Sequence, residues 1–366
     1  MIRVLHIASS LDRNGTETFI MNVYRNIDRS KVQFDFLVCK ITEEGYEREA
    51  RELGARIYHY HPRRDGLMKH FKSLYSFFSR HAGEYDVVHY NSNSFTSALP
   101  LRMAKYFNVG IRVAHSHSTS TRGLHHRVLH RLNRMKIRSL ATHYVACSEA
   151  ARKWGFARSG VLKKSEIISN GIETGKFCFN PSARVEIRKE LGIENKFVVG
   201  HVSNFLPVKN HPFMLEILSE LKKLIPEATL LFVGDGNRRL FIEKLAREKG
   251  MEDSVIFTGI RHDVNRLLQG MDIFLFPSFF EGLPFAVVEA QASGLPVFAS
   301  DTLPPEIAVT NLITFLSLES SAYEWAKKIA EVKNQEFDRT SISELKAFDI
   351  NTTCRQLMKI YGVKDP

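Results

Sequence analysis

The stretch KFVVGHVSNFLPVKNHPFMLEILSELKKLIPEATLLFVGDG, residues 196–236, decides how this chain is read. It opens on a short, Val-rich apolar run at 196–204. Residues 211–225 then carry Phe, Met, Leu and Ile three and four positions apart, which predicts a helix with one apolar face. ATLLFV at 228–233 is a second apolar run, closed by the glycines of GDG. Strand, helix and strand in this order predict a parallel βαβ unit, buried on both faces of its sheet.

The same rhythm runs outward in both directions. Toward the C-terminus, DSVIFTGI (253–260), DIFLFPS (272–278) and LPVFAS (295–300) read as further buried strands, with a helix at 239–250. Toward the N-terminus, RVLHIASS (3–10), FDFLVC (34–39), ARIYHY (55–60), YDVVHYN (85–91) and GIRVAHSH (110–117) read as strands. Helical spacing marks 17–27, 46–55, 65–81 and 95–107, and the segment 170–187 reads as a linker. The expected class is α/β: two doubly wound, Rossmann-like domains facing across a cleft, with ligands off the carboxyl ends of the strands. The expected boundaries are 1–178 and 179–345, with a C-terminal helix at 346–366 packing back on the first domain.

The chain has 366 residues, enough for two domains, and 44% apolar with 25% charged residues is ordinary for a globular protein. Four cysteines, Cys39, Cys147, Cys178 and Cys354, show no metal-ligand spacing and predict reduced, mostly buried thiols in a cytoplasmic protein. The N-terminal apolar run is too short for a signal sequence, and no run reaches the ~20 apolar residues of a membrane span. Charge is uneven. Residues 1–180 hold 29 Lys and Arg against 15 Asp and Glu, whereas the remainder holds 22 against 25. No acid occurs from Val87 to Ser148, so the first half is expected to meet something anionic. RGLHHRVLHRLNRMKIR (122–138) concentrates that charge: six Lys and Arg, with Leu124, Val128, Leu132 and Met135 at helical spacing. Such a helix suits an anionic membrane surface or a lipid diphosphate, and equally an ordinary solvated face. Nucleic acid is not expected, because no interleaved aromatics or known motif accompany the basic residues.

Several short stretches can carry chemistry. Gly234 in GDG either makes a plain tight turn or lets backbone N–H groups approach a phosphate. Lys209 and Asn210 stand at a helix entry, where a lysine suits a diphosphate; the alternative is a solvated surface lysine. In RNGTETF (13–19), Gly15 permits close backbone approach, and Thr16 or Thr18 suits a helix cap. VAHSHSTS (113–120) puts His115 and His117 on one side of a strand end. Spacing of two suits a metal pair, but no further ligand cluster accompanies them, so a hydrogen-bonding histidine is the preferred reading. SFFEGLPFAVVEAQASGLPVFASD (278–301) sets Glu281 and Glu289 eight positions apart in apolar company. A hydrolase pair needs carboxyls about 5–9.5 Å apart, whereas eight residues of straight helix span about 12 Å. Two carboxylates at a helix mouth suit sugar and ribose hydroxyls instead; capping plus a surface Glu is the bland alternative.

Taken in order, LDRNGTETFIMNVYRNID, VQFDFLV, YDVVHYNS, RVAHSHS, SNGIETGKF, VSNFLPVKNH, FVGDG, VIFTGIRHDV and FFEGLPFAVVEAQASGLPVFASD resemble the retaining GT-B glycosyltransferases of glycosyltransferase family 4. Bacterial enzymes of capsular and exopolysaccharide assembly are the nearest subgroup. The resemblance spans nearly the whole chain, and Glu281 to Glu289 matches the family's E-x7-E motif. It implies transfer of a hexose from a nucleotide-sugar, with UDP as the expected nucleotide, to a lipid-linked or saccharide acceptor. Glu281 would contact the donor sugar, the backbone of Gly282, Leu283, Pro284 and Phe285 the sugar or diphosphate, and Glu289 the ribose. Lys209 would pair with the diphosphate, Ile260 and Arg261 would frame the base, and Gly15 would sit under the diphosphate. His117 would lie near the transferring centre, and Asn204 and Gly234 complete the donor-binding candidates. No metal and no cofactor beyond the donor are expected, since lysine and helix N-termini take over charge neutralisation. Attack would be front-face, with the leaving phosphate oxygen taking the proton. The expected location is cytoplasmic, peripheral on the inner face of the plasma membrane.

Two positions depart from the family pattern. Asn204 stands where an arginine often precedes the lysine, which removes one cationic contact to the leaving group. Asn14-Gly15 replaces a Gly-Gly pair, a change that asparagine's tolerance of left-handed backbone accommodates. Two rival readings remain: a sugar-nucleotide 2-epimerase of the same architecture, and a weakly active or non-catalytic nucleotide-sugar-binding protein.

Overall fold

A computed structural model describes residues 1–41, 45–119, 121, 123–333, 335, 339 and 343–363. The chain divides into two compact units, Met1–Gly171 with Ala347–Pro366, and Ile172–Lys346. In the first unit the strands are β1 (Ile2–Ala8), β2 (Val32–Val38), β3 (Ile57–His59), β4 (Val87–Ser92), β5 (Ile111–Ser116), β6 (His143–Ala146) and β7 (Glu166–Ile167). Its helices are α1 (Gly15–Asn26), α2 (Glu47–Glu52), α3 (Leu67–His81), α4 (Leu99–Tyr106), α5 (Leu124–Leu140) and α6 (Glu149–Phe156). The second unit holds β8 (Phe197–Val202), β9 (Ala228–Val233), β10 (Val255–Phe257), β11 (Ile273–Phe276), β12 (Val297–Ser300) and β13 (Ile313–Leu316). Between them run α7 (Thr174–Phe177), α8 (Pro181–Leu191), α9 (His211–Leu224), α10 (Arg239–Glu248), α11 (Val264–Gly270), α12 (Phe285–Ala292) and α13 (Ala322–Glu331). The last helix, α14 (Ile350–Ile360), returns to the first unit.

The sheet orders are β3-β2-β1-β4-β5-β6-β7 and β10-β9-β8-β11-β12-β13, and every paired strand is parallel. Both orders reverse beside their first strand, the doubly wound pattern that opens a crevice at the reversal. The fold is therefore two Rossmann-like α/β domains, as the alternation predicts. The strands are apolar on both faces because helices cover both: Phe197, Leu215, Leu218, Phe232 and Trp325 are buried together in the second unit.

Several expectations shift. Strands β6, β7 and β13, of four, two and four residues, are additions to the expected set. The predicted linker 170–187 contains α7 and the first turns of α8, and the unit boundary falls at Gly171 within it. The C-terminal helix packs on α1: Cys354 Sγ approaches Val23 O at 3.8 Å, and Thr353 Oγ1 donates to Ser169 O at 3.1 Å. All four cysteines are free thiols; Cys147 and Cys354 are buried, whereas Cys39 and Cys178 are partly exposed.

Candidate active site

In the second unit the donor-site candidates converge on the carboxyl ends of β8 and β11. After β8 the chain runs through Asn204 into a short 3-10 turn, Pro207–Lys209, and Asn210 takes the left-handed φ of 60° that lets α9 start. After β11 it runs through Ser278 to Glu281. The Phe279 N–H donates to Val208 O at 2.9 Å, which ties the two loops together. That tie brings Lys209 and Glu281 into contact, with Nζ 2.6 Å from Oε1. The side chains are only 14% and 17% exposed, so this is a largely desolvated pair rather than a surface one. Lys209 Nζ also stands 5.2 Å from the centre of the Phe276 ring.

Gly282 and Leu283 complete the loop and Pro284 occupies the N-cap of α12, one position earlier than the helical site that Pro usually favours. Phe285 is the first helical residue, so the N–H groups of the first turn face the end of the loop carrying Glu281. Glu289 lies in the second turn, partly exposed. Desolvation pushes its carboxyl up to about 7, and among the described residues no side chain or N–H is bonded to it. An acceptor-rich group in that condition suits ligand hydroxyls.

Beneath the Lys209 loop lies a cluster for which the sequence analysis has no expectation. His201, on β8, bonds Leu275 O through Nδ1 at 2.8 Å and Ser203 Oγ through Nε2 at 2.7 Å. Ser203 Oγ also meets His211 Nε2 at 3.4 Å, and the His211 ring stacks on Phe205 at 4.3 Å. Burial pushes His211 down to about 3 and His201 well below its ordinary value, so both rings are neutral props for the loop. The available signal is a lone histidine inside an otherwise apolar strand run.

Other candidates have mainly internal work. A Cβ on Gly234, whose φ is 127°, would fall 2.0 Å from Ser203 O, so the GDG turn's close approach is to the chain itself. Arg261 spends its guanidinium on Asp263 (2.7 Å, twice) and Glu190 (2.8 Å). Ile260 beside it is 54% exposed.

In the first unit, Gly15 opens α1 in an exposed position, and a Cβ there would meet nothing within 4 Å. No internal contact requires that glycine. Asn14 is extended, with φ −105°, so the left-handed tolerance expected of it is not used. The expected Thr caps are also absent: Thr16 Oγ1 donates to Asn93 Oδ1 and Thr18 Oγ1 pairs with the Tyr46 hydroxyl, each at 3.1 Å. Glu17, which sequence reasoning passed over, is buried beneath this turn. Burial pushes its carboxyl up to about 7 while Ser10 Oγ approaches at 3.4 Å.

His115 and His117 project from the end of β5 onto one face, as their spacing predicts, with ring centres 3.8 Å apart. His117 Nε2 bonds Asn91 Oδ1 at 3.0 Å, and Phe19 of α1 packs 5.3 Å from its ring. Burial lowers His117 to about 3, which keeps it neutral. Among the described residues no group of three or more His, Cys, Asp or Glu is arranged to hold a metal ion.

With this geometry in place, the chain can be set beside known proteins. The Glycosyltransferase Family 4 profile matches residues 13–176, and Glycosyl transferases group 1 matches residues 183–347. EpsF of Bacillus subtilis (strain 168), named as a glycosyltransferase, is 33% identical over 374 residues, 99% of this chain and 96% of EpsF. The chain belongs to the family 4, group 1 glycosyltransferases. The capsular polysaccharide biosynthesis glycosyltransferase CapH of Staphylococcus aureus is 26% identical to this glycosyltransferase, covering 100% of the chain and 99% of CapH. Among solved structures, Anabaena Alr3699/HepE in complex with UDP and glucose superposes with a TM-score of 0.80 at 19% identity, covering 100% of both chains. That likeness extends the family assignment to the fold of both units.

Proposed function

We propose that this glycosyltransferase is a retaining hexosyltransferase that moves a sugar from a UDP-sugar to a lipid-linked or saccharide acceptor in bacterial polysaccharide assembly. The observation that carries the reading is the Lys209–Glu281 pair at the joined ends of β8 and β11, beside the α12 entry and the unbonded Glu289 carboxyl. The named role of CapH and the UDP and glucose held by HepE supply the direction for acceptor class and nucleotide.

In this reading Lys209 takes the donor diphosphate, Glu281 a sugar hydroxyl and Glu289 the ribose. The acceptor oxygen attacks the anomeric carbon as its bond to the diphosphate breaks. The bonding pair stays on the leaving phosphate oxygen, which also takes the acceptor's proton. Lys209 and the α12 N-terminus neutralise the charge that develops there, so the reading needs no metal ion. His117 binds a sugar hydroxyl in this reading.

The acceptor side is read from α5. Leu124, Val128, Leu132 and Met135 are 78%, 47%, 58% and 56% exposed, while the helix buries His130, Ile137 and Leu140. The predicted apolar stripe thus faces solvent, flanked by Arg127, Arg131 and Lys136; Arg122 lies outside the described residues. An apolar stripe with basic flanks suits the surface of an anionic leaflet, the cytoplasmic one in this reading. No described helix is long and apolar enough to cross a membrane.

One residue favours a second reading. Asn204 in place of the family's arginine suits a weakly active donor-binding protein. A panel of UDP-, GDP- and ADP-sugars, assayed for thermal shift and for transfer or hydrolysis, tests both readings. UDP-sugars should stabilise the chain and turn over. Stabilisation by GDP-sugars alone would overturn the nucleotide, and binding without turnover across the panel would favour the second reading.

A further inference from the structure

A ladder of polar side chains runs across β1, β4 and β5 on the face covered by α1 and α14. Register sets His6 beside His89 and Asn91 beside His115. The Tyr361 hydroxyl lies 2.7 Å from His89 Nδ1, and His89 Nε2 lies 3.0 Å from His115 Nδ1. His115 lies against His117 with the two rings tilted by 32°, and Asn91 completes the ladder between His117 and His6. His6, His89, Asn91 and His115 are all buried.

Asn91 determines the chemistry of its neighbour. Its Nδ2 lies 3.2 Å from His89 O and 3.1 Å from His6 Nδ1, and its Oδ1 lies 3.0 Å from His117 Nε2. A backbone carbonyl only accepts, so the amide nitrogen must face His89 and the amide oxygen must face His117. An amide oxygen likewise only accepts, so His117 Nε2 carries a proton. A neutral imidazole has one such proton, which leaves Nδ1 with a lone pair. Among the described residues nothing bonds to Nδ1, although His117 is only partly buried.

We propose that Asn91 is a positioning residue that locks His117 as the Nε2–H tautomer, so that Nδ1 is presented as a hydrogen-bond acceptor to a hydroxyl of the sugar substrate. The inference rests on the reading that His117 serves the reacting sugar. It adds a specificity: the group facing His117 must donate, so a deoxy or O-methyl sugar at that hydroxyl loses the bond and leaves Nδ1 unpaired. Contacts with the tilted His115 and Phe19 rings hold the ring in place, and the chain through His89 anchors His115 to Tyr361, the residue that closes α14.

The test uses two independent readouts on the full chain. Long-range proton–nitrogen NMR of the histidine side chains, with His117 assigned by the signals lost in His117→Asn, should show a neutral ring protonated on Nε2. Asn91→Leu should introduce the Nδ1–H form. In sugar transfer, His117→Asn can set its carboxamide oxygen where Nδ1 stood, whereas His117→Gln can reach only the Nε2 position. His117→Asn should retain roughly tenfold more kcat/KM than His117→Gln, about one hydrogen bond in the transition state. An Nδ1–H ring in the parent, or His117→Gln outperforming His117→Asn, overturns the lock. If His117→Ala transfers sugar as fast as the parent, His117 does not serve the sugar and the proposed acceptor role falls with it, while the NMR result still decides the tautomer.

Discussion

The two Rossmann-like units share a strand order but finish their strand ends with opposite chemistry. In the second unit the loops after β8 and β11 carry a desolvated ion pair, Lys209 with Glu281, and Glu289 follows in α12. In the first unit, β4 and β5 end in Asn91, His115 and His117, with both imidazoles neutral. Glycines diverge in the same way. Gly234 is demanded by the chain's own backbone at Ser203, whereas Gly15 has open space around it. The lesson is that a glycine turn after a strand is evidence for a ligand only once internal packing has failed to explain it. By that measure Gly15 is the better candidate of the two.

Under the proposed reading the second unit handles charge and the first binds hydroxyls, a contrast that can be broken experimentally. The largest effect is expected at the ion pair. Lys209→Ala should lower kcat by about 10²- to 10³-fold, because the contact acts on charge that develops in the transition state. Glu281→Ala should mainly lower turnover, whereas Glu289→Ala should mainly weaken nucleotide binding. Steady-state kinetics with calorimetric UDP binding would separate the three; unchanged binding and transfer in all of them would remove the donor site from this loop.

The next effect is a pH signature of Glu289. Its carboxyl titrates at about 7 in the fold against 4.5 ordinarily, so between these values the folded chain holds a proton that the unfolded chain has lost. Stability contributed in this way is present below 4.5 and is lost as pH rises through 7. Glu289→Gln should therefore melt higher than the parent at pH 8 and match it at pH 4. Glu17 titrates in the same window, so the single substitution should reduce the parent's slope without abolishing it. Equal melting temperatures at pH 8 would show that Glu289 is not desolvated.

The smallest effect is expected at α5. Flotation with anionic vesicles should recover more of the parent than flotation with neutral vesicles, and Leu132→Glu should reduce that recovery several-fold without changing soluble donor hydrolysis. Equal non-binding to both vesicle types would make the stripe an ordinary solvated face.

Much of the fold was legible because a parallel sheet covered on both sides leaves long apolar runs. KFVVGHVSN and ATLLFVGDG could be read as β8 and β9 on that ground alone. HYVA of β6 and ITFL of β13 could not, since neither short run has the adjacent glycine or proline that frames IFLF of β11 and VFAS of β12. At the site, Glu281, Glu289, Lys209 and His117 stood out by residue type in an unlikely setting and by resemblance to a family. Asn91, His201 and Glu17 did not, because each is buried and its polar partners are evident only in the folded chain.

By itself the sequence determined the doubly wound architecture, the family and the residues that could carry charge, since these depend on period, composition and local motif. Only the tertiary structure decided that Lys209 meets Glu281, that Gly234 serves the chain's own packing, and that Asn91 dictates where His117 keeps its proton. Those facts depend on which strand ends and loops are brought together, and on hydrogen-bond directions that appear only when each donor has found its acceptor.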